Sequence, residues 1–176
     1  MAENISSDTL KNNLTNLART FMWEIIIPSP AGSGNTTLWQ VRAQSSSIPG
    51  RSVGNIHVPY MGTGGINFPG KLTYTHVFPC TFIESEDRAI HTAIYSWLQS
   101  QNNDFDGTGA GDDQVKTDVY LNLLNVKGNI TESIRLIGSF IASLGEVTVN
   151  YEGEGGIIYP VEFRYDRWEA VATPAT

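Results

Sequence analysis

From Val161 to Asp166 the chain alternates strictly. Val161, Phe163 and Tyr165 stand against Glu162, Arg164 and Asp166. A period of two marks a strand with one buried and one wet face. The run Ile158 to Trp168 therefore reads as a half-buried strand. It closes a last third that is nearly all strand, after Val119 to Val126, Ile134 to Ile141 and Val147 to Tyr151. Upstream, Phe21 to Ile27 is β-branched and aromatic and is stopped by Pro28 and Pro30. In Leu38 to Ala43, Trp39, Val41 and Ala43 would face away from Gln40 and Arg42. In Leu72 to Phe82, residues Leu72, Tyr74, His76 and Phe78 would share a side. Between these runs fall most of 17 glycines and 8 prolines, the punctuation of a β protein rich in turns.

Two segments read as helix. Ser85 stands where an N-cap belongs, before Glu86 to Gln101, with Glu86 and Asp87 in the dipole-favoured first turn. Ile90, Ile94, Trp97 and Leu98 form one apolar stripe that would pack on a sheet. Leu10, Leu14 and Leu17, with Asp8 as cap, predict a short amphipathic helix within an N-terminal arm, residues 1–18. The fold class expected is mainly β: an antiparallel barrel or sandwich of about seven strands, with the helix over about 86–101 covering one end or edge. No internal repeat or composition break divides residues 1–176, so one domain is expected. Residues 44–70 hold many Ser, Gly and Pro, with only Asn55 to Tyr60 strand-like. A long excursion of that kind in a compact domain usually has a binding task. Residues 102–114 form a Gly/Asp loop.

Charge narrows the function classes. The chain has 11 Lys plus Arg against 18 Asp plus Glu, a formal net charge of −7. Sequence-independent DNA binding relies on cations that neutralise phosphates, so an acidic surface disfavours it. The single cysteine, Cys80, excludes an intrachain disulfide framework. The first residues, MAENISSDTLKNN, lack the basic and apolar regions of a secretory signal. No apolar run approaches the ~20 residues that span a bilayer as a helix. A cytoplasmic site of synthesis is the simplest expectation. The sequons at Asn4, Asn13, Asn35 and Asn129 then read as coincidence.

Motifs that could carry chemistry are few. Gly65 to Lys71, GINFPGK, approaches a phosphate-binding loop, but Leu72 stands where Ser or Thr would hold magnesium, and a strand follows instead of a helix. A glycine-rich turn leading into a strand is the better reading. In Asn102 to Asp113, a calcium-loop numbering puts Asn102, Asp104 and Asp106 at positions 1, 3 and 5, Gly107 at 6 and Asp113 at 12. Asn at the first position and a short Asp at the last depart from that pattern, and a solvated acidic turn is the plainer reading. His57, His76 and His91 lack close ligand spacing. His76 reads as a satisfied core histidine. Cys80 follows Pro79 with no base nearby in sequence, and reads as a buried inert thiol. Glu152 and Glu154 sit in a Gly-rich turn, EGEGG, where solvated charge is ordinary. No nucleophile–base constellation emerges, so an enzyme is not expected and no cofactor is implied.

The order of segments resembles the tail tube proteins of contractile-tailed bacteriophages, from about Asn16 to Trp168. The residues that carry the resemblance are NLARTFMWEI, WQVRAQSSSIPG, VGNIHVPYMGTGGINFPGK, TYTHVF, DRAIHTAIYSWLQ and the closing GSFIASLGEVTVNYEGEGGIIYPVEFRYDRWE. The first 15 residues and the Gly/Asp loop depart from the family pattern. The resemblance implies a virion tail component made in the host cytoplasm, forming stacked hexameric rings. Its partners would be copies of itself, a sheath outside, baseplate, terminator and tape-measure proteins, and DNA passing through the lumen without specific contact, with no membrane insertion by this chain. Ring stacking would use residues 44–70, with Ile48, Pro49, Val58, Pro59, Tyr60, Met61 and Phe68, together with the N-terminus. Candidate lumen acids are Glu146, Glu152, Glu154 and Glu162.

Two alternatives stay open at this point. The same kind of subunit could build a secretion-system or tailocin tube. A calcium-dependent carbohydrate-binding β-sandwich, suggested by the Gly/Asp loop and four tryptophans, belongs to another class. A hydrolase is a distant third.

Overall fold

The computed structural model describes residues 11, 17–28, 36–62, 64–151 and 153–171. The predicted helix around Leu10, Leu14 and Leu17 falls mostly outside them. In chain order the elements are β1 (Trp23–Ile26), α1 (Thr36–Arg42), β2 (Ala43–Ser46), β3 (Arg51–Pro59), β4 (Gly65–Tyr74), β5 (Val77–Ile83), α2 (Ala89–Gln101), α3 (Asp112–Val115), β6 (Thr117–Leu124), β7 (Ile130–Leu144), β8 (Ile158–Arg164) and β9 (Arg167–Val171). All described strand pairs are antiparallel. Seven strands form one sheet in the order β1-β6-β7-β8-β5-β2, with β9 also on β7, while β3 and β4 pair only with each other. The mainly β, antiparallel class expected from the sequence is the one observed.

Strand β7 organises the sheet. Its first half pairs with β6 on one side and β9 on the other, from Ser133 to Ile137. Its second half pairs with β8, from Phe140 to Leu144. The change comes at Gly138, whose φ of +67° lies in the left-handed region. The same corner splits the alternating run 158–168, predicted as one strand, into β8 and β9. The Asp166 amide donates to the Ile137 carbonyl at 3.0 Å between them. The path ends at β1 and β2, and no ladder joins those two edges among the described residues.

The core fills the space the folded sheet encloses. Phe78, Phe82 and Phe163 meet Trp39 and Trp97, all fully buried. Trp39 packs edge-on against Phe82 at 5.2 Å and against Trp97 at 6.3 Å. This contact corrects the strand predicted for 38–43. A strand would put Trp39 and Val41 on one face, but Trp39 is buried while Val41 is exposed. One helical turn satisfies both, because 3.6-residue periodicity separates positions two apart.

Other boundaries also move. His76 takes a φ of +56°, which ends β4 before it and starts β5 after it, so Leu72 to Phe82 is not one strand. Its ring lies at the surface, with Nδ1 donating to the Tyr165 carbonyl at 3.0 Å, instead of in the core. The segment 147–151 forms no strand: β7 ends at Leu144 and the next strand begins at Ile158.

Helix α2 begins at Ala89, three residues later than predicted, and Ser85 does not cap it. Ser85 Oγ instead donates to Asp87 Oδ1 at 2.6 Å. The free amides of the helix are met by Glu84, which accepts from Ile90 N at 3.3 Å and His91 N at 2.8 Å. Arg42 binds the same carboxylate at 3.0 Å, joining the end of α1 to the start of α2.

Candidate assembly surfaces

The excursion 44–70, predicted as a loop with one short strand-like stretch, is a short edge strand followed by a long hairpin. Its many Gly, Ser and Pro residues hide the pattern. Val53, Ile56 and Val58 stand opposite Leu72, Phe68 and Ile66 in register. At the turn, Met61, Gly62 and Gly64 all have positive φ, as a tight reversal requires. Neighbours in register point to the same side, so Ile56, Val58, Ile66 and Phe68 make one apolar face. That face is open: Ile56 is 55% exposed and Phe68 49%.

The other face of the same strands is polar. Asn67 Oδ1 accepts from Asn55 Nδ2 at 3.1 Å and from His57 Nδ1 at 2.9 Å. A side chain at Gly65 would collide with the His57 ring, which explains glycine there. The root is fastened to the body at three points. Arg51 lies over Trp168 at 5.3 Å, Trp168 Nε1 donates to the Gly50 carbonyl at 3.4 Å, and the Thr75 and Tyr165 hydroxyls pair at 2.8 Å. An isolated two-stranded hairpin is marginal in water, and these contacts at its root hold this one to the body while its apolar face stays bare.

Of the predicted stacking residues, Ile48, Val58, Pro59, Tyr60, Met61 and Phe68 are exposed, and Met61 at the tip is 86% exposed. Pro49 is buried. The GINFPGK segment lies inside β4, where its glycines serve strand pairing and not a phosphate cradle.

The predicted lumen acids are scattered. Glu146 and Glu154 are exposed in the connection between β7 and β8. Glu162 is half-buried on β8 and forms an ion pair with Arg164 at 2.9 Å. Glu152 lies outside the described residues. Nearby on the same sheet the Ser45 and Thr81 hydroxyls pair at 2.6 Å.

The calcium-loop positions do not converge. Asp104 accepts from the Tyr95 hydroxyl at 3.1 Å and also from Gln99. Asp106 accepts from Thr108 N at 3.0 Å and from its hydroxyl at 2.7 Å, which holds the carboxyl below its usual pKa. Asp113 is in α3 and Asn102 ends α2. Among the described residues, no group of three or more His, Cys, Asp or Glu gathers as a metal site. Burial pushes the Cys80 thiol up to about 12, and it donates to Ser46 Oγ at 3.4 Å.

Sequence reasoning missed one surface. A cleft of about 390 Å³ opens beside β1 and β6, floored by Met22, Trp23, Leu121, Leu123 and Leu124 and flanked by Ile48. Its residues come from distant parts of the chain, so only the fold reveals it. No described helix is long and apolar enough to cross a membrane.

The chain matches no protein-family model. It is 26% identical over 136 residues to the tail tube protein of Serratia phage KSP90, covering 75% of this chain and 76% of that one. Its structure is similar to the tube terminating cap of the anti-feeding prophage, with a TM-score of 0.67 and 15% identity over 98% of this chain and all of the other. It is also similar to a chain of the PVC sheath–tube complex of an extracellular contractile injection system, with a TM-score of 0.64 and 13% identity over 96% of this chain and all of the other. At these identities the two structural likenesses are likenesses of fold. The chain is thus similar in sequence to a phage tail tube protein and in fold to proteins of contractile injection systems.

Proposed function

We propose that this chain is the structural subunit of a phage tail tube. Six copies close into a ring, rings stack through the 51–74 hairpin, a sheath surrounds the stack, and DNA passes through the lumen. The observation that carries this reading is the fold match, which spans 98% of the chain and the whole of a tube terminating cap. The sequence likeness to a phage tail tube protein points to the phage member of that structural group.

The physical features agree. Function of this kind lies on surfaces, and the hairpin offers an open apolar face instead of a catalytic pocket. Fully burying a large aliphatic or aromatic side chain is worth roughly 1.5–3 kcal/mol, and covering the half of each that is exposed here about half of that. Four such side chains on each of six hairpins make a stack cohesive. Open edges at β1, β2 and β9 invite pairing, and ring closure is one way a sheet protein covers them. Net negative charge suits a duct for DNA, because it withholds the cations that would hold phosphate.

Negative-stain microscopy of the purified protein tests this reading. Rings or hollow tubes are the expected result. A protein that stays monomeric at high concentration, with and without tail initiation proteins, would overturn it.

A second reading is favoured by the fold neighbours themselves, which belong to injection systems. The same subunit could then line a tube for protein cargo. Mass spectrometry and nuclease treatment of filled tubes separate the two, since only the phage tube carries DNA.

A further inference from the structure

We propose that the apolar face of the β3–β4 hairpin seats in the cleft beside β1 and β6 of a second copy, one ring away. This rests on the tube reading and names the acceptor surface, which that reading leaves open.

Three observations carry it. The first is a match within one molecule. The hairpin projects Ile56, Val58, Ile66, Phe68 and Met61, and elsewhere the body holds a cleft of about 390 Å³ floored by apolar side chains. A protruding apolar element and an apolar recess on the same chain make a heterologous contact. Such a contact closes into a ring or runs on as an open stack according to the rotation between copies, and between copies one ring apart it runs on along the axis.

The second is charge. The hairpin from Arg51 to Tyr74 carries Arg51 and Lys71 and no Asp or Glu. The chain has 11 basic and 18 acidic residues in all, which leaves 9 basic against 18 acidic outside the hairpin. A +2 hairpin therefore faces a −9 body, and copies attract through this pairing while bodies repel each other. The cleft rim includes Glu132, and it also includes Arg19, so the attraction is a property of the whole body and not of one ion pair.

The third is the amphipathic build of the hairpin. Asn55, His57 and Asn67 bond among themselves on one face, which leaves the apolar face as the one lacking any described covering. Docking that face in the cleft covers the apolar side chains of both surfaces at once.

Cross-linking tests the contact. In a Cys80→Ala background, Met61→Cys at the hairpin tip is combined with Thr131→Cys at the cleft. Assembly is first checked by electron microscopy and the fold by circular dichroism. A short bis-maleimide should then link copies head to tail, giving a ladder of dimers, trimers and longer products on denaturing gels. Either cysteine alone should give no ladder beyond dimer. The independent variant Ile48→Asp, at an exposed position on the cleft wall, should keep its thermal unfolding and lose tube length at least tenfold. Tubes that form normally with no ladder, or Ile48→Asp tubes of full length, would overturn the acceptor assignment and leave the tube reading standing. Wild-type protein that forms no tubes at all would overturn both.

Discussion

Gly138 and Asp166 meet at the corner where β7 leaves one half of the sheet for the other, and a side chain at Gly138 would collide with the Asp166 carboxylate. The Gly138 amide donates to Asp118 Oδ1 at 3.1 Å, and the other oxygen of Asp118 accepts from Arg135. Lys116 reaches Asp166 at 3.5 Å. The left-handed φ and the crowding both demand glycine. Gly138→Ala should destabilise the fold by about 2–3 kcal/mol, combining left-handed strain with the clash. For a chain of this size that is a fall of roughly 5–10 °C in Tm, read by thermal unfolding.

Glu84 sets a second prediction. Its side chain is only 3% exposed, and it holds both Arg42 and the first amides of α2. Glu84→Ala leaves Arg42 with Asp87 as its remaining carboxylate and uncaps the helix, and should cost about 2–3 kcal/mol. Glu84→Gln keeps an acceptor oxygen and should cost less. Equal losses in the two variants, measured by denaturant titration, would contradict the capping role.

The same cluster gives a pH dependence. Hydrogen bonds from Arg42 foremost, then from Ser85 and the Ala89 amide, hold the Asp87 carboxyl well below its usual pKa. A depressed folded pKa means that the contribution of Asp87 to stability is complete above the unfolded value, about 3.9, and is lost as pH falls further. Asp87→Asn should therefore unfold at a lower temperature than wild type at pH 7. The gap should narrow below pH ~4. A gap that stays constant down to pH ~2 would contradict it.

The two core tryptophans differ in their polar ends. Trp97 Nε1 donates to the Val115 carbonyl at 2.8 Å, whereas Trp39 Nε1 is buried with no partner among the described residues. Replacement by Phe removes similar volume at both sites, but only at Trp97 does it break a hydrogen bond. Trp97→Phe should be the costlier by about 1 kcal/mol. Chemical denaturation of both variants checks the order.

The acids proposed for the lumen set a further prediction. Under the proposed function, Glu146→Gln with Glu154→Gln should slow DNA ejection. Glu162→Gln should slow it further, because it frees Arg164 from its ion pair to hold phosphate. Unchanged ejection in all three would remove these acids from the lumen.

Much of the fold was legible in the chain. Period-two alternation in Val161, Phe163 and Tyr165 marked β8, and the stripe Ile90, Ile94, Trp97 marked α2, because both bury one face against the core. The errors have physical causes. Trp39 and Val41 mimic a strand in a short window, and only the aromatic contacts with Phe82 and Trp97 decide for a helical turn. The hairpin looked like a loop because Gly, Ser and Pro residues interrupt the alternation of Asn55–Val58 and Ile66–Phe68, and neither of its faces is buried. Sharp breaks at His76 and at Gly138 depend on contacts with Tyr165 and Asp166, roughly 90 and 30 residues away in sequence, and no local pattern encodes them. The stacking residues were named through the resemblance; the structure places them on an exposed hairpin and its approach, Pro49 excepted, which is buried. The cleft was invisible because its walls come from β1, β6 and the 46–48 segment, which only folding brings together.

The central claim is that the hairpin joins one ring of this subunit to the next. A cryo-EM reconstruction of the assembled wild-type protein tests it most directly. Six-fold rings with the 51–74 hairpin buried between successive layers are the predicted result. Hairpins projecting into solvent, or a particle with no repeating rings, would contradict it.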